Sequence, residues 1–273
     1  MQAPRLLVFD LDGTLLDPTQ HIPSRVLSAL CLLQMHGITL TIATGRIPAS
    51  AAPFLSQLRV DIPVILYNGG LIAKPTGETV YKRTLDLEVA RDALLLAQEI
   101  PVDRQLYLDP SDTFYYAEAI TDQLRSFSQD DRIPAREVEN LATYVERVQA
   151  DPMKLLIIGE EEELIRLRKR FQQRHPEPTC VHSNRNCVEI LPPNVSKGAA
   201  LHHLCRVIEL DIEDVIASGD NPNDREMLLE AGTGVAMATA PKEMLEEADR
   251  VVEDLADYLK TLATDLTERK GCI

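Results

Sequence analysis

Two carboxylates at i, i+2 close an apolar run in the stretch Leu6-Leu7-Val8-Phe9-Asp10-Leu11-Asp12-Gly13-Thr14. Ligands of open α/β sheets bind in the crevice beyond the carboxyl ends of the strands, so two acids and a glycine turn at such an end stand where chemistry is done. A second polar stop, Thr44-Gly45-Arg46, follows another short apolar run. Its hydroxyl and the backbone N–H groups of a glycine turn can hold phosphate oxygens, and the helix expected to begin near Pro48 adds a favourable dipole. Ser196-Lys197-Gly198 opens a later helix, where a lysine opposes the dipole unless an anion sits beside it. Ser218-Gly219-Asp220-Asn221-Pro222-Asn223-Asp224 is the second acidic strand end. Asp12-Gly13 is also a hairpin signal, but a strand apolar at every position and closed by two acids is an odd way to build a plain turn.

The elements that must position these residues can be read from the periodicity. Leu6 to Phe9 is too short for a helix and apolar throughout, as a parallel strand buried on both faces requires. Ser24 suits the N-cap of a helix with Val26, Leu27, Leu30 and Leu33 on one face, ended by Gly37. Thr39 to Ala43 and Pro63 to Tyr67 read as further strands, the latter closed by Asn68-Gly69-Gly70, and Pro75-Thr76-Gly77 marks a hairpin between Leu71 to Ala73 and Thr79 to Lys82. Alternation of strand and helix up to Arg83 predicts a parallel sheet with right-handed crossovers.

Beyond Arg83 the pattern changes. Val89, Leu94, Leu95 and Leu96 suggest a helix, and Gln105 to Leu108 pairs with Thr113 to Tyr116 across Asp109-Pro110-Ser111-Asp112. Met153 to Ile158 is a strand before a charged helix over Glu161 to Arg170, and Thr179 to Val181 with Cys187 to Leu191 forms another hairpin. Residues 84–189 therefore read as an α+β domain inserted into an α/β domain made of 1–83 and 190–273. A length of 273 residues agrees with two domains at roughly 150 residues each.

Composition narrows the partners. A net charge of −15 argues against nucleic acid and against an anionic membrane, since phosphates would be repelled over most of the surface. Small phosphorylated metabolites remain compatible if one pocket is locally cationic. Five cysteines without C-x-x-C spacing indicate neither a zinc site nor a complete disulfide framework and point to a reducing cytoplasm. No stretch approaches the ~18 apolar residues of a membrane span, and no leader pattern opens the chain.

Asp10-Leu11-Asp12-Gly13-Thr14 resembles the first signature of the haloacid dehalogenase-like phosphohydrolases, and Thr44-Gly45-Arg46 resembles the second. Glu189 to Gly198 is similar to the lysine segment of the Cof-like branch, and Gly219-Asp220 with Asn223-Asp224 to the closing acidic motif. The tail Thr233 to Ala240 and Ala248 to Val252 is also Cof-like. It departs from the family at Thr239, where Asn is usual, and at Asp254-Leu255-Ala256, where an acidic-Gly loop is usual. The resemblance implies a Rossmann-like parallel-sheet core with an inserted α+β cap (type IIB), and a Mg²⁺-dependent phosphatase acting on a small phosphorylated metabolite.

It further implies Asp10 as nucleophile and Asp12 as acid/base, because a carboxylate is ionised at neutral pH and a neighbouring acid can protonate the leaving oxygen and later activate water. Leu11, Thr44, Gly45, Lys197 and Asn223 fall on the phosphate. Asp10, Asp12 through its carbonyl, and Asp220 fall on the metal, and Asp224 supports the ligands or Lys197. Two carboxylates about 4 Å apart repel by ~4 kcal/mol at an effective dielectric of about 20, which makes a divalent cation a requirement. A phosphomutase would share the nucleophile and differ in its product, and a phospho-receiver module would lack the insertion. His202-His203 reads as helix surface, because adjacent residues face different directions.

Overall fold

The computed structural model describes residues 4–109, 113–117, 133–148, 150–184 and 186–271. The chain divides into two compact units, one of Met1–Arg46, Ala51–Tyr81 and Ser196–Ile273, the other of Ile47–Ser50 and Lys82–Val195.

In the first unit a parallel sheet has the order β14-β13-β12-β1-β2, with β1 at Leu6–Phe9, β2 at Thr39–Ile42, β12 at Val215–Gly219, β13 at Thr233–Met237 and β14 at Arg250–Val252. β1 lies between β12 and β2, with Leu6 opposite both Val215 and Thr39. Its four residues are at most 1% exposed, so both faces are covered, which is why the strand is apolar at every position. Leu6 and Val8 join a core with Ala200, Leu201, Leu204, Met227 and Leu228, supplied by the helices at Lys197–Val207 and Arg225–Glu230.

Helix α1 (Ser24–Met35) buries Val26, Ala29, Leu30 and Leu33. Ser24 is not its cap: the helix enters through Pro23, whose carbonyl takes the N–H groups of Val26 and Leu27 at 2.9 and 3.1 Å, and Ser24 is the first helical residue. Proline presets the backbone φ at this entrance, and no side chain caps the helix there.

Helix α2 (Pro48–Leu58) follows β2. β3 (Val64–Leu66) runs parallel to the end of β2 as expected, with the Thr44 N–H on Ile65 O at 2.9 Å. It pairs antiparallel with β4 (Leu71–Ala73) in a separate sheet with β5 (Thr79–Lys82), and meets the parallel sheet through one bridge, Ala43 to Ile65. The turn at Tyr67–Gly69 then reverses the chain into β4.

The second unit has a six-stranded sheet of order β10-β11-β9-β6-β7-β8, with β6 at Asp103–Asp109, β7 at Phe114–Tyr116, β8 at Ala135–Glu137, β9 at Asp151–Ile158, β10 at Pro178–Asn184 and β11 at Cys187–Pro193. β6 and β7 pair antiparallel as expected, although residues 110–112 of their connection lie outside the described residues. Helices α3 (Leu87–Gln98), α4 (Leu141–Val148) and α5 (Glu161–Arg174) bury Ala93, Leu94, Val145, Leu164, Leu167 and Phe171 against Leu106, Leu155, Ile157, Val188 and Ile190. These strand residues alternate along β6, β9 and β11, so one sheet face receives the helices. α5 runs past the expected Arg170 by another turn, where Arg174 and His175 both bond Asp92 on α3, at 3.1 and 2.9 Å. β11 continues to Pro193 within this sheet, so the compact unit extends beyond residue 189 to Val195.

The chain then forms α6 (Lys197–Val207), α7 (Arg225–Glu230), α8 (Lys242–Glu247) and α9 (Leu255–Gly271). Asp254 caps α9 by accepting the Asp257 N–H at 3.2 Å and pairs with Arg25. Among the described residues no helix is long and apolar enough to cross a membrane.

Candidate active site

The order of the parallel sheet reverses at β1, because β2 lies on one side and the much later β12 on the other. The ends of these adjacent strands deliver Asp220, Asp10 and the Thr44 turn side by side, at the kind of switch point where open sheets bind ligands. Asp10 continues the β1 ladder, its N–H bonding Ser218 O at 2.9 Å. Behind it the chain curls, with the N–H groups of Thr14 and Leu16 on the Leu11 carbonyl at 3.4 and 2.8 Å. Gly13 is required in this curl. Its φ is +88°, and a Cβ there would stand 2.3 Å from Asp220 Oδ2.

Lys197 begins α6, which is capped by Ser196 Oγ accepting the Ala199 N–H at 3.0 Å. Its side chain is 1% exposed, and its Nζ donates to Asp10 Oδ1 at 2.6 Å and to Asp224 Oδ1 at 2.5 Å. These carboxylates explain a lysine where the helix dipole opposes one. Asp224 Oδ2 accepts the N–H groups of Asp220 and Asn221 at 3.1 and 3.0 Å, so Asp224 ties the loop and holds the lysine at once. Asp220 accepts from Thr14 Oγ1 at 2.9 Å and from Asn221 Nδ2 at 2.8 Å.

Oxygens of Asp10, Asp220 and Asp224 all lie within 4.8 Å of one another. One lysine cannot neutralise this group. Burial, then Asp224 and Asp12, raise Asp10 well above the usual carboxylate range against the pull of Lys197. Burial followed by Asp224 pushes Asp220 up to about 6. Burial disfavours the charged form of Lys197, but Asp10 and Asp224 outweigh it and hold its pKa above that of an ordinary lysine. A bound divalent cation would reverse the shifts of the acids. The donors fit such an ion: they are all oxygens, as hard cations of the Mg²⁺ type prefer. Asp10 and Asp220 would hold it: the partners of Asp220 are a neutral hydroxyl and amide, whereas Asp224 is fully buried on the Lys197 ammonium and the loop N–H groups.

At the end of β2, Thr44 is fully buried and its Oγ1 accepts the Arg46 N–H at 3.1 Å. Two features here escape the sequence. Arg46, read only as the last member of a tripeptide, grips Asp12 with both arms, Nε to Oδ2 at 2.8 Å and Nη2 to Oδ1 at 2.6 Å. It also donates to Gln20 Oε1 and lies over the Phe54 ring, 5.3 Å from its centroid. The second is Asn68, whose Oδ1 accepts from Asn223 Nδ2 at 2.9 Å. Its only sequence signal was a turn dipeptide. His202 lies away from this group, bonding Glu230 at 2.9 Å on the helix surface.

A family model of haloacid dehalogenase-like hydrolases matches residues 7–257. The chain belongs to this family. The HMP-PP phosphatase of Escherichia coli strain K12 is 31% identical over 245 residues, covering 89% of this chain and 87% of that protein. A haloacid dehalogenase-like hydrolase from Bacteroides thetaiotaomicron superimposes with a TM-score of 0.84 at 26% identity, covering 95% of this chain and 99% of that one. A subclass IIB sugar phosphatase of the superfamily shares the fold, with a TM-score of 0.81 at 22% identity over 98% of this chain and 100% of that one. The haloacid dehalogenase-like chain described here is thus a phosphatase of the Cof-like branch, with a Rossmann-like core and an inserted α+β domain.

Proposed function

We propose that this phosphatase hydrolyses the phosphoester of a small phosphorylated metabolite through an aspartyl-phosphate, with Asp10 as nucleophile and Mg²⁺ as cofactor. The observation that carries the reading is the buried Asp10–Lys197–Asp224 bridge beside Asp220, which joins residues 187 positions apart. A structural ion pair needs one partner for the lysine. Two carboxylates on it, with a third acid adjacent, describe a site built to receive a cation and an anion together.

Asp10 attacks phosphorus in line, and the P–O bond to the leaving group breaks as the Asp10 oxygen forms its own. Lys197, the Thr44 hydroxyl, and the Leu11 and Gly45 backbone offset charge on the transferring oxygens, with Asn223 as a further donor. Asp12 protonates the leaving oxygen, then takes a proton from the water that hydrolyses the aspartyl-phosphate. Arg46 holds both Asp12 oxygens and so orients the carboxylate; one oxygen leaves the guanidinium when it carries the proton. Asp10, the Asp12 carbonyl and Asp220 would hold Mg²⁺, which when bound screens the acids from the incoming phosphate and polarises a phosphoryl oxygen. The residues given these roles all lie in the unit of Met1–Arg46, Ala51–Tyr81 and Ser196–Ile273, and the inserted region selects the leaving group.

Release of inorganic phosphate from a panel of sugar phosphates, nucleotides and cofactor phosphates, with HMP-PP placed first after the relative named for it, identifies the substrate. Asp10→Asn is expected to fold with a cooperative melt and lose turnover by at least ~10³-fold, and excess chelator to abolish wild-type turnover until Mg²⁺ is restored. Appreciable turnover by Asp10→Asn would remove Asp10 from the mechanism.

A further inference from the structure

The turn at Tyr67–Gly69 holds left-handed residues in succession, Tyr67 at φ 51°, Asn68 at φ 54° and Gly69 at φ 100°. Tyrosine disfavours this region strongly and asparagine less so. Backbone outliers of this kind persist only where the surroundings over-determine them, and they gather at functional sites. The surroundings here are the phosphate-motif segments themselves. Tyr67 N–H bonds Arg46 O at 3.1 Å and Asn68 N–H bonds Thr44 O at 3.0 Å. On its other side Gly69 abuts the start of α6, where a Cβ would meet Ser196 O at 2.2 Å.

The Asn68 side chain occupies the middle of this junction and is 2% exposed. Its amide nitrogen and oxygen each stand 3.1 Å from where a Cβ on Gly45 would be, so the amide packs on the Gly45 backbone. Its oxygen accepts from Asn223 Nδ2 at 2.9 Å. Among the described residues this is the hydrogen bond that fixes the Asn223 amide, whose Oδ1 is buried and has no partner. An amide nitrogen carries two hydrogens; Asn68 takes one and sets the direction of the other.

We propose that Asn68 is a positioning residue of the phosphate cradle: it orients Asn223 so that the Asn223 amide addresses the transferring phosphoryl group. The proposal rests on the phosphatase reading above. It also accounts for an asparagine in a left-handed turn where glycine would be easier for the backbone.

The test is Asn68→Gly, because glycine accepts the left-handed conformation freely and removes the amide alone. The variant should melt cooperatively within a few degrees of wild type. Its kcat/KM for a phosphate monoester should fall about tenfold, and its inhibition constant for inorganic phosphate should rise by a similar factor, as expected for one lost hydrogen bond to a charged group. Asn68→Gly combined with Asn223→Ala should lose no more than Asn223→Ala alone, a coupling that a merely structural residue would not show. Asn68→Ser, made in parallel, must show the same coupling. Phosphate inhibition within twofold of wild type in Asn68→Gly, or losses that multiply in the double variant, would overturn the proposal. Asp10→Asn reports on the aspartyl mechanism by itself, so failure of that reading is seen separately.

Discussion

Replacing Lys197 by methionine tests the electrostatics of the site without activity as a readout. Methionine matches the stem of lysine and removes the charge, leaving Asp10 and Asp224 facing each other in a site where both are at most 4% exposed. Their oxygens lie within 4.8 Å, where two full charges repel by ~3.5 kcal/mol at an effective dielectric of about 20. Removing one member of a buried ion pair costs about 3–5 kcal/mol in general, so the two estimates agree. One carboxylate escapes by keeping a proton. Asp10 is already raised by burial, and without Lys197 it moves higher. A carboxyl whose folded pKa exceeds its unfolded value of ~3.9 binds more protons when folded, so its contribution to stability falls as pH rises through that window.

Lys197 follows the same slope in a different window: its raised pKa keeps its contribution fully present below the unfolded lysine value of ~10.4, so in the wild type it does not change between pH 5 and pH 8. The variant should therefore be less stable than wild type by about 3–5 kcal/mol at pH 8 and by clearly less at pH 5. Urea unfolding of both proteins at the two pH values measures it. A deficit under ~1 kcal/mol at pH 8, or one that grows toward pH 5, would refute the charge distribution argued here.

Asp12→Asn should slow turnover by ~10²–10⁴-fold, with smaller losses for aryl phosphates whose leaving groups need little protonation. A series of leaving groups of graded pKa checks this, and equal losses across the series would remove Asp12 as the acid. Gly13→Ala places a methyl where Asp220 Oδ2 stands and strains a φ of +88°, so it should destabilise the fold by at least the ~1–2 kcal/mol of a left-handed alanine and weaken Mg²⁺ binding. Thermal melts with calorimetric Mg²⁺ titration read both effects, and wild-type Mg²⁺ affinity would refute the contact.

The sequence by itself determined the strand ends. An apolar run closed by acids has few alternatives, because a charge buried inside β1 or β12 would lack water or a partner, so Asp10 and Asp220 had to lie where those strands stop. It also determined the inserted unit, since antiparallel pairs and amphipathic helices leave local periodicities over β6, β9 and α5. Only the tertiary structure decided which charges meet. Periodicity reports neighbours a few residues apart, whereas Lys197 reaches Asp10 across 187 positions and Arg46 reaches Asp12 across 34. β3 meets β2 in parallel as read, but nothing apolar in Val64–Leu66 encodes the reversal that follows and pairs it with β4. That reversal depends on successive left-handed residues held by the carbonyls of Thr44 and Arg46. Asn68-Gly69 announces a turn, but its place in the site exists only once β2, α6 and the Asp220–Asp224 loop have packed around it.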